Sequence, residues 1–248
     1  MSTLKQEIHA LHESELYLHF FGDALGPERT KRECDYIETL SDLSGGKVLD
    51  LACGHGRHSI ELTKRGYQLE GIDINTGFLE IARQEAKAQQ LHIPFIEGDL
   101  LKHAYPPAFD LAILLFNTLG FFNSEDAQQV FHQIDRALKP GGKAIIDTKN
   151  RDHLIQEIQP YAVHEVGNDL MIDRLRFDPI TGTTTNNRTY IKAGIRYDTP
   201  FTMYAYNYAD LKRFASKTNL TITQVLGGWK GEPFDSASRR IMLVLEKR

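Results

Sequence analysis

The chain has 248 residues, of which 41% are hydrophobic and 25% are charged, a composition typical of a folded globular protein and not of a disordered one. Acidic residues outnumber basic ones by 33 to 29, which disfavours a nucleic-acid partner because binding to phosphate backbones favours a basic surface. No apolar run approaches the roughly 20 residues that span a bilayer, and residues 1–15 contain no signal-peptide core, so we expect a cytoplasmic protein without a membrane partner.

The N-terminal residues, 1–45, carry apolar side chains at helical spacing on both sides of a break at Gly26-Pro27. Leu16 and Phe20 are four residues apart before the break, and Cys34 and Ile37 continue the pattern after it. This pattern predicts a helical cap.

From Lys47 the pattern changes to short apolar runs that alternate with amphipathic stretches, which is typical of βαβ units in a parallel sheet. Five strands are predicted, at 47–53, 68–74, 93–97, 109–116 and 143–148. Helices are predicted to begin near His55, Thr76 and Ser124, and the run at 139–142, Lys-Pro-Gly-Gly, is a strong helix stop.

Beyond Asn150 the sequence is rich in strand-forming residues, with turn residues at 178–182. Strands are predicted at 170–177, 183–192 and 202–206, within an antiparallel insertion that covers 151–206. Residues 207–248 are predicted to add a short helix at 208–216 and two final strands at 221–226 and 240–245.

The sharpest motif is the run Val-Leu-Asp-Leu-Ala-Cys-Gly-His-Gly at 48–56, a buried strand that leads into a glycine turn and a helix. Small residues in such a turn let the backbone approach a ligand closely. Asp73 ends the second strand, about 20 residues downstream, where folds of this kind place a carboxylate that binds ribose hydroxyls.

Two cofactor classes share this layout. A dinucleotide site needs a third glycine in the turn, but the chain has Ser59 there, and Asp50 would repel a pyrophosphate. An NAD-dependent oxidoreductase is therefore disfavoured. A carboxylate at position 50 suits a ligand with an ammonium and a sulfonium group, and Asp99, after the third strand, can accept a hydrogen bond from adenine N6.

These motifs together resemble those of class I S-adenosylmethionine-dependent methyltransferases. The matching elements are Asp50-x-x-x-Gly54-x-Gly56, Asp73, Gly98-Asp99 and the Leu-Lys-Pro-Gly-Gly run at 138–142. Residues 53–59, 116–122 and 231–240 further resemble a group of small bacterial methyltransferases whose characterised relatives act on small molecules. The resemblance implies an α/β fold with a doubly wound, seven-stranded, mostly parallel Rossmann-like sheet. The last strand is expected to be antiparallel, and 1–248 to form a single domain: the cap (1–45), the cofactor-binding core (46–150), the insertion or lid (151–206) and the C-terminal part (207–248).

The resemblance also implies a cofactor-binding set, comprising Asp50, Ala52, Gly54, Gly56, Asp73, Ile74, Asp99, Leu100 and Phe116. In it, Asp50, Ala52 and Gly54 line the methionine moiety and Asp73 binds the ribose. Asp99 and Leu100 bind adenine, while Phe116 lies beside the sulfonium. Taken singly, Asp50 is equally explained as a helix-capping carboxylate, Asp99 as a turn residue and Phe116 as core. Ala52 is a departure, since many members have glycine there.

The acceptor side is less defined. Methyl transfer from a sulfonium is an in-line displacement in which alignment supplies much of the rate, so a catalytic base is optional. Phe-Asn-Thr at 116–118 differs from the Asn/Asp-Pro-Pro-Tyr signature of enzymes that methylate nucleobases or glutamine. Candidate catalytic residues are Tyr17, Asn117 and Tyr206, with packing as the alternative for the tyrosines and turn formation for Asn117.

We therefore predict S-adenosylmethionine-dependent methylation of a small-molecule N or O acceptor, with S-adenosylhomocysteine as the product. A catalytically silent S-adenosylmethionine-binding module stays open as an alternative, as do an RNA or protein acceptor and a homodimeric assembly. No metal is expected, because no cysteine or carboxylate cluster completes a ligand set with the ten histidines. The two cysteines, Cys34 and Cys53, lack disulfide or zinc spacing and suit a reducing compartment.

Overall fold

The computed structural model describes residues 14–248. The α-helices are α1 (Ser14–Phe21), α2 (Pro27–Ser41), α3 (Arg57–Lys64), α4 (Thr76–Ala88), α5 (Ser124–Ala137), α6 (Arg151–Glu157) and α7 (Tyr208–Ala215). Two short 3-10 helices cover Asp23–Leu25 and Thr118–Phe121. The part of the predicted cap at 1–13 lies outside the described residues.

The strands are β1 (Lys47–Leu51), β2 (Gln68–Asp73), β3 (Phe95–Glu97), β4 (Phe109–Leu114), β5 (Leu138–Lys149), β6 (Tyr161–Val166), β7 (Asp169–Asp178), β8 (Thr183–Lys192), β9 (Ile195–Tyr204), β10 (Leu220–Leu226) and β11 (Arg240–Lys247). Seven of them form the main sheet, in the order β10-β11-β5-β4-β1-β2-β3. Strand β11 is antiparallel to both of its neighbours, and the other pairings are parallel. The predicted doubly wound, mostly parallel sheet is confirmed.

Strand β1 is the point at which the strand order reverses, since it pairs with β2 on one side and β4 on the other. Its side chains alternate between the two faces. Leu49 and Leu51 pack with residues of α5 and α7, such as Phe131 and Phe214, in one core cluster, whereas Val48 belongs to the core on the opposite face. Ligands of open α/β sheets bind at the carboxyl edge beside such a reversal.

Strand β5 begins earlier than the sequence indicates. Helix α5 ends at Ala137, and the predicted helix stop at 139–142 already belongs to the strand. The pairing of β4 with β5 shifts register between Phe109↔Leu138 and Leu111↔Lys143, so the glycines are accommodated as an irregularity at the strand's start. Helix α3 begins at Arg57, close to the predicted start near His55.

The insertion is a four-stranded antiparallel sheet in the order β6-β7-β8-β9, one strand more than predicted. Strand β6 and helix α6 were not predicted from the sequence, and β9 begins at Ile195, before the predicted 202. Strand β6 is an edge strand whose Tyr161 and Val163 side chains are exposed. It therefore lacks the alternation of buried and exposed residues on which strand prediction depends.

The cap and the insertion share a small core. Leu16 and Phe20 of α1 are buried together with Met171 of β7 and Tyr190 of β8, and the rings of Phe20 and Tyr190 lie 5.3 Å apart. The insertion thus holds α1 in place. Within residues 14–248, no helix is long and apolar enough to cross a membrane.

Candidate functional site

A cleft opens at the carboxyl ends of β1, β2, β3 and β4. Of the residues predicted to form the site, those that line the cleft are Tyr17, Asp50, Ala52, Gly54, Asp73, Ile74, Asp99, Leu100 and Phe116. Residues far apart in the sequence therefore converge on one cavity because parallel strands end at the same edge of the sheet. Gly56, Asn117 and Tyr206 are not part of its lining.

The glycine turn after β1 has three residues with positive φ: Ala52 at 56°, Gly54 at 56° and Gly56 at 75°. A Cβ added to Gly54 would meet no protein atom within 4 Å, so the space above Gly54 is open to the cleft. A Cβ on Gly56 would lie 2.9 Å from both Ala82 and Phe95. Gly54 therefore leaves room for a ligand, whereas Gly56 allows the turn to pack against α4 and β3.

Asp50 is buried, with 3% of its surface exposed, and accepts a 2.6 Å hydrogen bond from Ser59 Oγ. Burial raises the pKa of this carboxyl to about 7; the hydrogen bond from Ser59 lowers it, and the charge of Asp73 raises it further. In the described part of the chain no lysine or arginine forms an ion pair with Asp50. A cationic ligand group in the cleft would stabilise its ionised form.

Asp73 and Asp99 both fix turns and line the cleft. One oxygen of Asp73 accepts a 2.7 Å bond from Gly54 N, and the other accepts a 2.8 Å bond from Asn75 N. Asp99 accepts a 3.0 Å bond from Leu101 N and pairs with Lys102 at 3.1 Å. Both carboxylates line the cleft, and a carboxylate oxygen can accept more than one hydrogen bond, so the turn interpretation of Asp99 and the binding interpretation are compatible.

A buried ionic cluster lies behind the cleft, where α2 meets α3. Glu33 forms an ion pair with Arg57 at 2.5 Å and hydrogen bonds with His58 at 2.9 Å and Arg29 at 2.8 Å. Burial would raise the pKa of Glu33, but the hydrogen bond from His58 and the charge of Arg57 outweigh it and lower the pKa to about 2. Burial lowers the pKa of His58 to about 4, so its neutral ring donates Nε2–H to the carboxylate.

This cluster holds Phe116 in place. The guanidinium carbons of Arg57 and Arg29 lie 4.6 and 5.0 Å from the centroid of the Phe116 ring, within cation–π range. Phe116 has a positive φ of 61°, and its backbone N–H donates to Asp147 Oδ2 at 3.1 Å. These contacts maintain an unfavourable backbone conformation at the end of β4, with the ring against the cleft.

Tyr17 brings the cap into the cleft. Its ring packs 4.8 Å from Phe21 and 5.4 Å, edge to face, from Phe78. Burial raises the pKa of the Tyr17 phenol above its usual value, so the hydroxyl is neutral at physiological pH. A neutral phenol can donate a hydrogen bond to a ligand but is a poor proton acceptor.

Asn117 and Tyr206 have structural surroundings that do not support the catalytic roles expected for them. Asn117 Oδ1 accepts bonds from Thr148 Oγ1 and Lys149 N, both at 2.8 Å, which tie the loop after β4 to the end of β5. Tyr206, 4% exposed, donates from its hydroxyl to Phe122 O at 2.6 Å and packs against Phe214. We therefore assign neither residue to the acceptor.

Sequence reasoning missed several residues that line the cleft, namely His55, Arg57, His58 and Phe78. The first three lie within or directly after the glycine turn, which was the available signal. Burial lowers the pKa of His55 to about 4, so its imidazole is neutral and able to accept a hydrogen bond. No group of side chains in residues 14–248 could hold a metal ion, while His9 and His12 lie outside that range.

The cleft fits S-adenosylmethionine on its own features. Asp50 offers a buried carboxylate to a cationic group, and the turn leaves open space above Gly54. Asp73 and Asp99 place acceptors at two neighbouring strand ends, which match the donors of a ribose and an adenine amine. The acidic lining disfavours a pyrophosphate.

Comparison with known proteins agrees with this geometry. Residues 48–142 match the family model described as a methyltransferase domain. The chain is 40% identical over 126 residues to a demethylmenaquinone methyltransferase of Deinococcus radiodurans, a match that covers 50% of this chain and spans only about half, 51%, of that relative. It is 25% identical to the cypemycin N-terminal methyltransferase of a Streptomyces species, over 86% of this chain and 88% of that protein.

A solved S-adenosylmethionine-dependent methyltransferase from Clostridium acetobutylicum superimposes with a TM-score of 0.82 at 18% identity. The match covers 94% of this chain and 97% of that one, so cap, sheet and insertion share one architecture. These similarities show a methyltransferase domain at residues 48–142 and a fold that the chain shares with S-adenosylmethionine-dependent methyltransferases.

Proposed function

We propose that this chain transfers the methyl group of S-adenosylmethionine to a nitrogen or oxygen of a small molecule. The observation that carries the proposal is that Tyr17 of the cap lines the same cleft as Asp50 and Phe116 of the sheet. Helix α1 is held by the insertion through the contact of Phe20 with Tyr190. A cleft covered in this way suits an acceptor of limited size.

We propose that Asp50, Ala52 and Gly54 hold the methionine part of the cofactor, that Asp73 holds the ribose, and that Asp99 with Leu100 holds the adenine. Ile74 extends the ribose side, and Gly56 contributes through the packing of the turn. When bound, the cofactor supplies a methyl group activated by its sulfonium. Because the donor is already activated, the main task of the protein is to align the acceptor.

Three groups beside the cleft suit that task. Phe116 is held by two cations and provides a fixed apolar wall. The neutral hydroxyl of Tyr17 can orient an acceptor by hydrogen bonding. Burial keeps the imidazole of His55, which lines the cleft, neutral, so it can accept a hydrogen bond from a hydroxyl acceptor, whereas an amine that binds as the free base needs no such group.

The match to demethylmenaquinone methyltransferase spans only half of each chain, so we infer the acceptor class from the cleft. An amine acceptor agrees with the name of the cypemycin N-terminal methyltransferase, which matches most of this chain. A reducing, cytoplasmic location and a single domain over 1–248 stay part of the proposal, and the two free thiols of Cys34 and Cys53 support the location.

Isothermal titration with S-adenosylhomocysteine tests the first step. We expect saturable binding, and the Asp73→Ala variant to bind roughly 10- to 150-fold more weakly, since hydrogen bonds to a charged group are typically worth about 1.5–3 kcal/mol. Asp110→Ala, at the opposite edge of the sheet, is the matched control and should bind as the wild type does. Absence of binding up to about 1 mM would overturn the proposal.

A panel of amines, phenols and carboxylic acids, assayed for release of S-adenosylhomocysteine, then separates an enzyme from a silent module. Turnover of at least one small acceptor supports the proposal. Cofactor binding without turnover across the panel would favour the silent module, and methylation of RNA or protein alone would overturn the small-molecule assignment.

A further inference from the structure

The segment that joins β10 to β11, residues 227–239, contains most of the run at 231–240 that resembles small bacterial methyltransferases. Backbone hydrogen bonds order it: Gly227 N donates to Glu232 O at 2.7 Å, and Asn150 N donates to Arg239 O at 3.1 Å. Residues 227–240 all belong to the described part of the chain, and none of them lines the cleft. Any effect of this segment on the reaction must therefore pass through another residue.

Asp147, near the end of β5, is the common partner of two side chains from this part of the chain. Its Oδ2 accepts a 3.3 Å bond from Trp229 Nε1 and a 2.7 Å bond from Arg240 Nη2, and Arg240 Nε donates to Oδ1. The same Oδ2 accepts a 3.1 Å bond from Phe116 N. Asp147 is only 1% exposed, so these protein donors replace water around its charge. One buried carboxylate thus connects the C-terminal segment to Phe116.

Phe116 and the residue after it both have left-handed backbone conformations, with φ of 61° at Phe116 and 65° at Asn117. Residues with a side chain rarely adopt this conformation, and two in succession need contacts that hold them. Asp147 supplies a contact to each: its side chain accepts from Phe116 N, and its backbone carbonyl accepts from Asn117 N at 3.0 Å. Asp147 therefore fixes the direction in which the chain leaves β4, and with it the place of the Phe116 ring at the cleft.

Trp229 connects this backbone support to the ionic cluster that supports the ring. Its indole lies parallel to the imidazole of His58, at an angle of 7° and with the ring centroids 6.5 Å apart. His58 binds Glu33 within the cluster, and its ring centroid lies 6.4 Å from that of Phe116. Trp229 thus contacts both groups that hold Phe116, namely Asp147 on the backbone side and the cluster on the ring side.

We propose that Asp147 is a positioning residue for methyl transfer, and that Trp229 and Arg240 act through it to hold the Phe116 ring at the cleft. This inference rests on the proposed function and adds residues that position its site. Because the methyl donor is already activated, a wall that shifts by a fraction of an ångström lowers the rate by disturbing the alignment of the acceptor. Arg240 neutralises the buried carboxylate, which lets Asp147 keep its charge while it binds Phe116 N.

The test uses the full-length protein with saturating S-adenosylmethionine and the acceptor that turns over fastest in the panel of amines, phenols and carboxylic acids. Asp147→Asn removes the charge that Arg240 binds. Asp135→Asn is its matched control, because Asp135 is also a buried carboxylate that pairs with a β11 cation, Lys247 at 3.6 Å, and accepts a 3.2 Å bond from Asn219 N. Arg240 is the first residue of β11 and Lys247 the last, so the control lies at the opposite end of that strand.

A second pair of variants carries the test if Asp147→Asn does not fold. Trp229→Phe keeps an aromatic ring beside His58 but removes the indole N–H that binds Asp147. Its matched control is Tyr67→Phe, which removes the 2.5 Å bond from the buried Tyr67 hydroxyl to Leu43 O, away from the cleft. Trp229 is the only tryptophan in the sequence, so its indole N–H signal in a proton–nitrogen NMR spectrum reports the bond to Asp147 directly.

We expect Asp147→Asn to lower kcat roughly 10- to 100-fold and Trp229→Phe to lower it about three- to tenfold. Their affinities for S-adenosylhomocysteine, measured by isothermal titration, should stay within about threefold of the wild type, since neither residue lines the cleft. Both controls should keep the wild-type kcat, and the indole signal should move in Asp147→Asn but not in Asp135→Asn. Equal kcat in variants and controls, an indole signal that does not move, or a loss of cofactor affinity with kcat unchanged would overturn the inference.

A double-mutant cycle separates positioning from a general loss of structure. Phe116→Ala removes the ring through which Asp147 acts, so adding Asp147→Asn to it should lower kcat by less than about a further threefold. If the two effects multiplied in full, Asp147 would act independently of Phe116 and the inference would fail.

The wild type separates this inference from the proposed function. If the wild type binds no S-adenosylhomocysteine or methylates no acceptor of the panel, the proposed function fails and the positioning role fails with it. If the wild type turns over an acceptor and the Asp147 and Trp229 variants do so at the same rate, only the positioning role fails.

Discussion

The open space above Gly54 gives the sharpest test of the cofactor site. Gly54 has a φ of +56°, and a Cβ placed there would meet no protein atom within 4 Å. Substitution by alanine therefore produces no clash inside the folded protein. The added methyl group would instead occupy the cleft, where we expect the methionine part of the cofactor to lie.

The chain offers a matched control in Gly167, in the turn between β6 and β7. Gly167 has a φ of +61°, and a Cβ there also meets nothing within 4 Å, but Gly167 does not line the cleft. The left-handed conformation costs an L-residue about 1–2 kcal/mol, and the smaller entropy of the unfolded chain offsets about 0.4–1 kcal/mol of this. Both variants should therefore lose a similar free energy of unfolding, up to about 1.5 kcal/mol.

Binding should separate the two variants. An extra methyl group in a closely fitting site typically costs about 1–3 kcal/mol, so Gly54→Ala should bind S-adenosylhomocysteine roughly 5- to 150-fold more weakly. Gly167→Ala should bind as the wild type does. Urea denaturation and isothermal titration measure the two quantities. Equal affinities in two variants of equal stability would show that the turn does not contact the cofactor.

Three further predictions concern charge and the acceptor. Affinity for S-adenosylmethionine should rise about tenfold per pH unit from about pH 5 to about pH 7 and then level off, because Asp50, with its pKa raised to about 7, must ionise to pair with a cation. The Asp50→Asn variant should not show this rise in pH-dependent titrations. A rise retained in that variant would contradict the assignment. Glu33→Ala should lower the free energy of unfolding by about 3–5 kcal/mol in urea denaturation, since Arg57 and His58 lose their buried partner, and a loss under about 1 kcal/mol would refute the role of the cluster. Tyr17→Phe should change the affinity for S-adenosylhomocysteine by no more than about threefold and reduce turnover of an acceptor about tenfold. A loss of cofactor binding without a loss of turnover at saturating cofactor would show that Tyr17 contacts the cofactor and not the acceptor.

The sign of the pH dependence differs between the two carboxylates. The folded-state pKa of Asp50 lies above the unfolded value, so its contribution to the stability of the protein alone is lost as the pH rises towards 7. The pKa of Glu33 is lowered to about 2, so its contribution is present above the unfolded value and is lost as the pH falls towards 2. Burial lowers the pKa of His55 and of His58 to about 4, so both rings are largely neutral over the range of the binding experiment.

The sequence alone determined the central sheet and the acidic residues that line the cleft. Apolar runs of strand length, separated by amphipathic helices, predict parallel strands, and the carboxyl ends of parallel strands meet at one edge. Asp50 lies within such a run, Asp73 ends one and Asp99 follows one, so local spacing was sufficient to bring them together. Residues that are neighbours in the sequence determine where a strand ends, so a local sequence pattern can predict that position.

Only the tertiary structure decided which side chains face the cleft beyond those strand ends. Gly54 and Gly56 look alike in the motif, yet one adjoins open space and the other packs against Ala82 and Phe95. The family resemblance suggested Tyr206, at the end of the insertion, as a catalytic residue, but its hydroxyl donates to Phe122 O in the core. Such differences depend on partners distant in sequence, which no local pattern encodes.

The insertion and the charges around it depend on tertiary structure for the same reason. Strand β6 is stabilised by its pairing with β7, whereas its exposed side chains give no pattern of buried residues from which a strand could be predicted. Arg188 of β8 pairs with Asp173 of β7 across that sheet. Whether a charge is neutralised is a property of the folded surroundings, because composition counts charges but does not pair them.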